Sequence, residues 1–476
     1  MIEFYYKNYR VNFKKKCQYL ADEIISILSI ESINVINTKQ SNIPKVYLNL
    51  LGEELYSLLN NLYCTIRNNN GINHPLLKKY LPESKDVPKS NYKFADFFSG
   101  AGGFSQGFIN SGFQPVFVND NYTSALETYY FNHNLSLEHY YNGDIKIFID
   151  NFSKYKSILN DIKIIIGGPP CQGFSNANRW KHKLTENSLN KFFVEDERNI
   201  LYKHFVNILE LVKPDFFVME NVKGMIKVEK QIEEDICNKT GNEYTLTSLV
   251  LDAQYFNVPQ KRKRYFLIGG KDFMFLNQIK ENINQVKSKT NKYKLDDALF
   301  DLPSIKTNPY KRNTAFESDI NGYSICKKNL QQNQFTKEIN QNRVITYLSN
   351  HKSRYNNEND LEIFRSLPEG ENSLHESIQH LNNYKSRNHI FKDKYYKLKR
   401  NEVSKTITSH MRYDCHMYIH PNQARGLSPR EAARIQTFPD DYIFRGTLND
   451  WYKQIGNAVP VKLAQIIATE IKKYYE

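Results

Sequence analysis

The sequence predicts an α/β fold: a parallel sheet covered by helices, preceded by a mainly helical extension and interrupted by a smaller lobe. Three observations predict it. Five apolar runs of strand length, Phe94–Phe98, Pro115–Val118, Ile162–Ile166, Asp215–Met219 and Tyr265–Ile268, alternate with helix-length segments from Lys93 onward, which is the pattern of βαβ units. The first run passes directly into Ser99-Gly100-Ala101-Gly102-Gly103-Phe104-Ser105, a glycine turn that lets backbone approach a ligand at the edge of a sheet. From about Lys271 to Ala424 the alternation fades into a segment rich in Asn, Lys, Tyr and Ser.

Taken in order, residues 1–90 form the extension. Runs 21–30 and 46–62 carry apolar residues at mixed three and four spacing, a helical period. A polar stretch marked by Pro82 and Pro88 then reads as a linker. Residues 91–270 hold the alternating body and 271–424 the variable lobe. Residues 425–476 return to helix. There Ser428, Pro429 and Glu431 make a capping box with proline at the first helical position.

The 476 residues carry 65 Lys+Arg against 51 Asp+Glu, a net charge of +14. A field of that sign attracts polyanions. The excess lies outside the α/β body: 271–424 holds 25 basic and 17 acidic residues, and 1–90 holds 12 and 8. No apolar run is long enough for a membrane span. The first twenty residues include Lys7, Arg10, Lys14, Lys15 and Lys16 with no apolar stretch, so no secretory leader is expected. The six cysteines form no C-x-x-C pair, which excludes a zinc ribbon and gives no disulfide framework. A cytoplasmic protein with reduced thiols and no metal is expected.

Several residues stand where chemistry would need them. Asp120 ends the second strand, twenty residues after Gly100, a spacing at which an acidic residue bonds a ribose diol in doubly wound sheets. The turn has Ser105 in place of a third glycine and no G-K-[ST] ending, which disfavours a nucleoside triphosphate. Asp144 is placed to accept from an adenine amino group, or simply to cap a turn. The strand Ile162–Ile166 runs into Gly167-Gly168-Pro169-Pro170-Cys171, a stiff turn presenting a thiol at the sheet edge; a thiolate there would be a nucleophile. The polar stretch from Asn176 to Glu197 reads as a lid. Glu220 closes an apolar strand, where a carboxylate needs a partner. Alternation puts Gln260, Arg262 and Arg264 on one side of an extended chain, a row suited to phosphate or base contacts or to keeping an edge strand soluble.

Together these residues resemble the DNA cytosine-5 methyltransferase family of bacterial restriction–modification systems. The ordered matches are Asp96–Gly103, Gly168–Ser175, Glu220-Asn221-Val222, Gln260–Arg264, Arg430–Pro439 and Gln454–Pro460. They cover about 92–270 and 425–476, and the span between falls where the family keeps its target-recognition domain. The resemblance implies a Rossmann-like S-adenosylmethionine-dependent methyltransferase sheet, completed by 425–476, with a separate small target-recognition domain over 271–424. Residues 1–90 match nothing in the family core. Asn121 departs from the family, which often has an aromatic residue there.

The resemblance also implies the roles. Cys171 would add to carbon 6 of a flipped-out cytosine, with Glu220 at N3, Arg264 at O2 and Arg262 in support. S-adenosylmethionine would lie against Phe98, Ser99, Gly100, Gly102, Asp120, Asn121, Asp144, Ile145, Pro169, Asn457 and Ala458. Double-stranded DNA would meet Gln172, Ser175, Arg198, Gln260, Thr406 and Thr408. The enzyme would act as a monomer on DNA, with a cognate restriction endonuclease acting separately. Two other readings are a tRNA cytosine-5 methyltransferase and a methylase-like DNA-binding regulator. The Cys-Phe-Thr signature of the first is absent from the target region, and the intact cysteine, glutamate and glycine turn argue against the second.

Overall fold

The computed structural model describes residues 3–6, 9–12, 90–133, 135, 137–170, 201–287, 292–314, 316–383 and 393–476. At the start of the chain Glu3–Tyr6 (β1) and Tyr9–Asn12 (β2) pair antiparallel. This short stretch is dense in tyrosine and phenylalanine, which favour strands. The runs expected to be helical at 21–30 and 46–62 lie outside the described residues.

The body is a seven-stranded sheet of order β5-β4-β3-β6-β7-β9-β8. Its strands are Lys93–Phe97 (β3), Gln114–Asp120 (β4), Tyr140–Asn142 (β5), Ile164–Gly167 (β6), Phe216–Val222 (β7), Thr245–Asp252 (β8) and Lys263–Gly270 (β9). The first five run parallel, and the order reverses between β3 and β6. That reversal is where doubly wound sheets bind ligands. The expected parallel sheet is corrected at one edge, since β9 runs antiparallel to both β7 and β8. The reversal of β9 has a use. It brings the beginning of β9, with Arg264, to the edge where β7 ends with Glu220-Asn221-Val222, and Arg264 pairs with Val222.

The strand period of two divides the core into two layers. On one face, Phe94, Ile164, Ile166, Phe216, Val218, Phe266 and Ile268 pack beneath helix α1 (Gly103–Asn110). On the other, Ala95, Phe97, Ile165, Phe217, Met219, Tyr265 and Leu267 point the opposite way. Helix α2 (Thr123–Asn132) adds Leu126, Tyr129 and Tyr130 against Val118. The second face is covered by α3 (Ile145–Asp150), α4 (Leu201–Val212) and α5 (Glu229–Thr240). The first face is completed by α6 (Phe273–Val286), which buries Leu276, Ile279 and Ile283 there. Helix α6 thus adds residues beyond 270 to this apolar layer.

Residues 293–424 contribute the hairpin Gly322–Lys327 (β10) and Tyr347–Lys352 (β11), with short helices around it. Tyr293, Leu295, Ala298, Phe335 and Ile339 share one apolar cluster with Leu427, Ala432, Phe438, Tyr452 and Ile455. The variable span and the returning C-terminal segment thus have a common core. Helix α7 (Pro429–Ile435) starts as its sequence dictates: the Ser428 hydroxyl accepts from Glu431 N–H, and Glu431 accepts from Ser428 N–H. Helices α8 (Leu448–Asn457) and α9 (Val461–Lys472) follow. Helix α9 lies on α1 so closely that a Cβ on Gly107 would come within 2.5 Å of Ala464 Cβ and Gln465 N. Among the described residues no helix is long and apolar enough to cross a membrane.

Candidate functional site

The glycine turn leaves the end of β3 through three residues in left-handed conformations, Phe98 (φ 58), Gly100 (φ 54) and Gly102 (φ 81). A Cβ on Gly102 would lie 2.7 Å from both Tyr129 Cδ2 and Tyr442 Oη, so this position needs glycine for space as well as conformation. A non-glycine residue at positive φ, as at Phe98, is backbone strain of the kind that gathers at working sites. Around Gly100, by contrast, nothing lies within 4 Å of where a Cβ would be.

Asp120 shapes the turn from the next strand. Its Oδ2 accepts from Gly100 N–H and its Oδ1 from Tyr122 N–H, both at 2.7 Å. Asn119 donates to Tyr141 O and Gly143 O and so fixes the end of β5. Asp144 is exposed there and caps α3 by accepting from Lys146 N–H at 2.7 Å, while Ile145 is buried beside it. Asn121 is exposed. From the far end of the chain, Ala458 Cβ and Val459 O lie 3.1 and 2.7 Å from the Cβ position of Gly103. The fold thus brings Phe98, Ser99, Gly100, Gly102, Asp120, Asn121, Asp144, Ile145, Pro169, Asn457 and Ala458 to the carboxyl edge of β3–β6.

One further acid was not singled out. Asp96, inside β3, is fully buried; its Oδ2 accepts from the Ser105 hydroxyl at 2.6 Å, and Tyr129 Oη donates to Ser105. Its Oδ1 has no hydrogen-bond partner among the described residues. Burial pushes the carboxyl up to about 8, against the pull of the Ser105 hydroxyl. The available signal was its place in the quoted Asp96–Gly103 motif.

The second half of the site stands on β6, β7 and β9. Pro169 is buried, and its carbonyl accepts from Asn221 Nδ2 at 2.9 Å, tying the turn after β6 to the end of β7. Asn221 had been quoted only as part of a motif; its role is that strut. Glu220 Oε2 lies 3.2 Å from the Cβ position of Gly168, and its Oε1 sits 2.8 Å from Arg264 Nε. Burial raises the Glu220 carboxyl above its usual range, and Arg264 and Arg262 only partly offset that. Pro170 is exposed at the start of the segment that leads to Cys171. Cys171, Gln172, Ser175, Arg198 and the stretch expected to be a lid lie outside the described residues.

Two members of the row lie inside the protein. Gln260, expected at DNA, is fully buried. It donates to Gln436 Oε1 at 2.9 Å and accepts from Ile407 N–H at 2.7 Å. Arg262, expected to support the reacting base, is also fully buried, with its guanidinium on three backbone carbonyls. Of the row, only Arg264 reaches Glu220. Thr406 and Thr408 are half-buried: the first donates to Lys261 O, and the second pairs with Tyr418 Oη at 2.9 Å. Among the described residues no group of three His, Cys, Asp or Glu could hold a metal ion.

Acidic residues at the ends of β4 and β5 thus share one sheet edge with a proline turn and a buried Glu–Arg pair. Residues 92–473 match the family model described as C-5 cytosine-specific DNA methylase. The chain belongs to this family and is a DNA cytosine methyltransferase. Among curated relatives, the type II methyltransferase M.DdeI of Desulfomicrobium norvegicum is 30% identical over 404 residues, covering 80% of this chain and 88% of the relative. M1.HphI of Haemophilus parahaemolyticus is 29% identical over 390 residues, covering 80% and 86%. A crystal structure described as a "putative DNA modification methyltransferase" encoded within an E. coli prophage superposes with a TM-score of 0.58 at 25% identity, over 81% of this chain and all of the other.

Proposed function

We propose that the protein transfers a methyl group from S-adenosylmethionine to carbon 5 of a flipped-out cytosine in duplex DNA, through a covalent Cys171 adduct. The observation that carries this reading is the buried Glu220–Arg264 pair, 2.8 Å apart, set against the Gly168–Pro170 turn that delivers Cys171. Carbon 5 of cytosine is a weak nucleophile. Addition of a thiolate at carbon 6 turns it into an enamine carbon, and negative charge builds on the ring toward N3. Glu220, whose carboxyl burial raises toward the protonated form, donates at N3, and Arg264 holds O2. Once carbon 5 has bonded to the methyl group, loss of its proton expels the Cys171 thiolate, and N3 returns its proton to Glu220 as the aromatic ring is restored.

The residues at the glycine turn suit this cofactor. It presents a ribose diol, an adenine amino group and positive charge at sulfur and nitrogen. The edge offers the carboxyl groups of Asp120 and Asp144 and open space at Gly100. When bound, S-adenosylmethionine supplies an electrophilic methyl group. The Asp120→Ala variant is expected to bind it roughly 10- to 100-fold more weakly in calorimetry, since hydrogen bonds to a charged group are lost and the N–H groups of Gly100 and Tyr122 are left unpaired. Unchanged affinity would remove Asp120 from the site.

The target base must leave the stack before Cys171 can reach it. The basic span 271–424 supplies phosphate contacts and base readout, which makes binding weaken steeply with salt. The biological setting is protection of host DNA beside a restriction endonuclease, with the methyltransferase acting as a monomer in the cytoplasm. Duplex DNA in which 5-fluorocytosine replaces cytosine tests the chemistry. The fluorine cannot leave as a proton does, so a denaturant-stable protein–DNA complex should accumulate only when S-adenosylmethionine is present. Its absence would overturn the covalent route.

A further inference from the structure

Arg262 sits at the centre of a knot that ligand binding has to respect. Its Nη1 donates to Ile407 O at 2.6 Å, and its Nη2 to Gly456 O at 3.2 Å and Ala458 O at 2.9 Å. Gly456 and Ala458 bracket Asn457, in the turn that closes the cofactor edge. Ile407 lies between Thr406 and Thr408, the pair that the family resemblance sets against DNA. The two segments are 49 residues apart in the chain but touch. A Cβ on Gly456 would collide with Thr408 C and O and Ser409 N.

A second layer repeats the link. Gln260 accepts from Ile407 N–H and donates to Gln436, which donates in turn to Ile455 O at 2.8 Å and Ala458 O at 3.2 Å. A fully buried guanidinium is a costly way to fill space. Its planar fork, however, reaches carbonyls of separate segments at once, which an ammonium does not.

We propose that Arg262 is a positioning residue that couples the cofactor-closing turn at Asn457–Ala458 to the target-side segment Thr406–Thr408, so that cofactor and DNA each strengthen binding of the other through this guanidinium. The inference rests on the reading of the site as a cofactor-and-DNA site. Occupying one segment fixes the shared guanidinium, so the other is held before its own ligand arrives. Linkage makes the effect reciprocal.

The test uses the full chain and a duplex carrying the sequence found methylated, by bisulfite sequencing, in cells that express it. DNA affinity is measured by fluorescence anisotropy with and without S-adenosylhomocysteine, which cannot react. In the wild type the product cofactor is expected to tighten DNA binding at least about 5-fold, within the range usual for coupled sites. In Arg262→Lys that ratio should fall below about 2 while the thermal midpoint shows the protein folded. Amide exchange on the wild type covers the case in which the variant does not fold: S-adenosylhomocysteine alone should slow exchange of the Ile407 amide. An unchanged ratio in the variant, a wild-type ratio near one, or unaltered exchange at Ile407 would each overturn the coupling. A wild type that binds neither ligand would instead overturn the functional reading itself.

Discussion

Cys171→Ser is expected to abolish methyl transfer, lowering the rate by roughly four to six orders of magnitude, as removal of a catalytic nucleophile does. Cofactor affinity should stay within about twofold. A serine hydroxyl is almost wholly un-ionised near neutral pH, whereas a thiol of ordinary pKa is already a few per cent thiolate and intrinsically more nucleophilic. The frame that presents position 171 does not depend on the sulfur. Pro169 is buried and strutted by Asn221 at 2.9 Å, and Glu220 stands beside Gly168. Incorporation of labelled methyl groups into duplex DNA, together with calorimetry of cofactor binding, separates the two quantities. Substantial transfer by the serine variant would exclude the adduct.

Glu220→Gln is expected to lower turnover by about 10²- to 10⁴-fold, the usual worth of a positioned proton donor. The amide keeps the shape and a hydrogen-bond donor but has no proton to give. The pH profile carries the sharper signature. Burial raises the Glu220 carboxyl, with Arg264 and Arg262 opposing. The protonated, active form is therefore present below the raised value and lost as pH climbs through it. The wild type should show this falling limb in single-turnover rates measured up the pH scale, and Glu220→Gln should lack it. A limb that survives in the variant would belong to another group.

Much of the layout was legible because local pattern and long-range placement agree. The runs at Phe94–Phe98 and Ile162–Ile166 become adjacent parallel strands; apart from Asp96 and Lys163 each is apolar on both faces, and each leads into glycine-rich sequence. The capping box at Ser428 formed as spelled out. What failed depended on direction or on distant partners. Nothing in the apolar run Tyr265–Ile268 encodes which way the strand points, so the antiparallel β9 was invisible. The three-residue strand Tyr140–Asn142 is too short to register.

Gln260 and Arg262 read as a surface row because alternation in a polar segment carries no information about burial. The carbonyls that satisfy Arg262 belong to residues 145 to 196 positions away, and main-chain acceptors leave no mark in a sequence. Glu220 could be picked out, since a carboxylate closing an apolar strand demands a nearby cation. Its cation, Arg264, became evident only once β9 lay beside β7.

The clasp between α9 and α1 also bears on how the polypeptide is born. Ala464 presses on Gly107, so the layer that α1 and α6 share lacks part of its cover until α9 is translated. At about 5–20 residues per second, roughly 20–70 s separate synthesis of those two partners. The nascent chain therefore carries its first glycine turn without this backing until α9 has been made, and the enzyme cannot mark DNA before then.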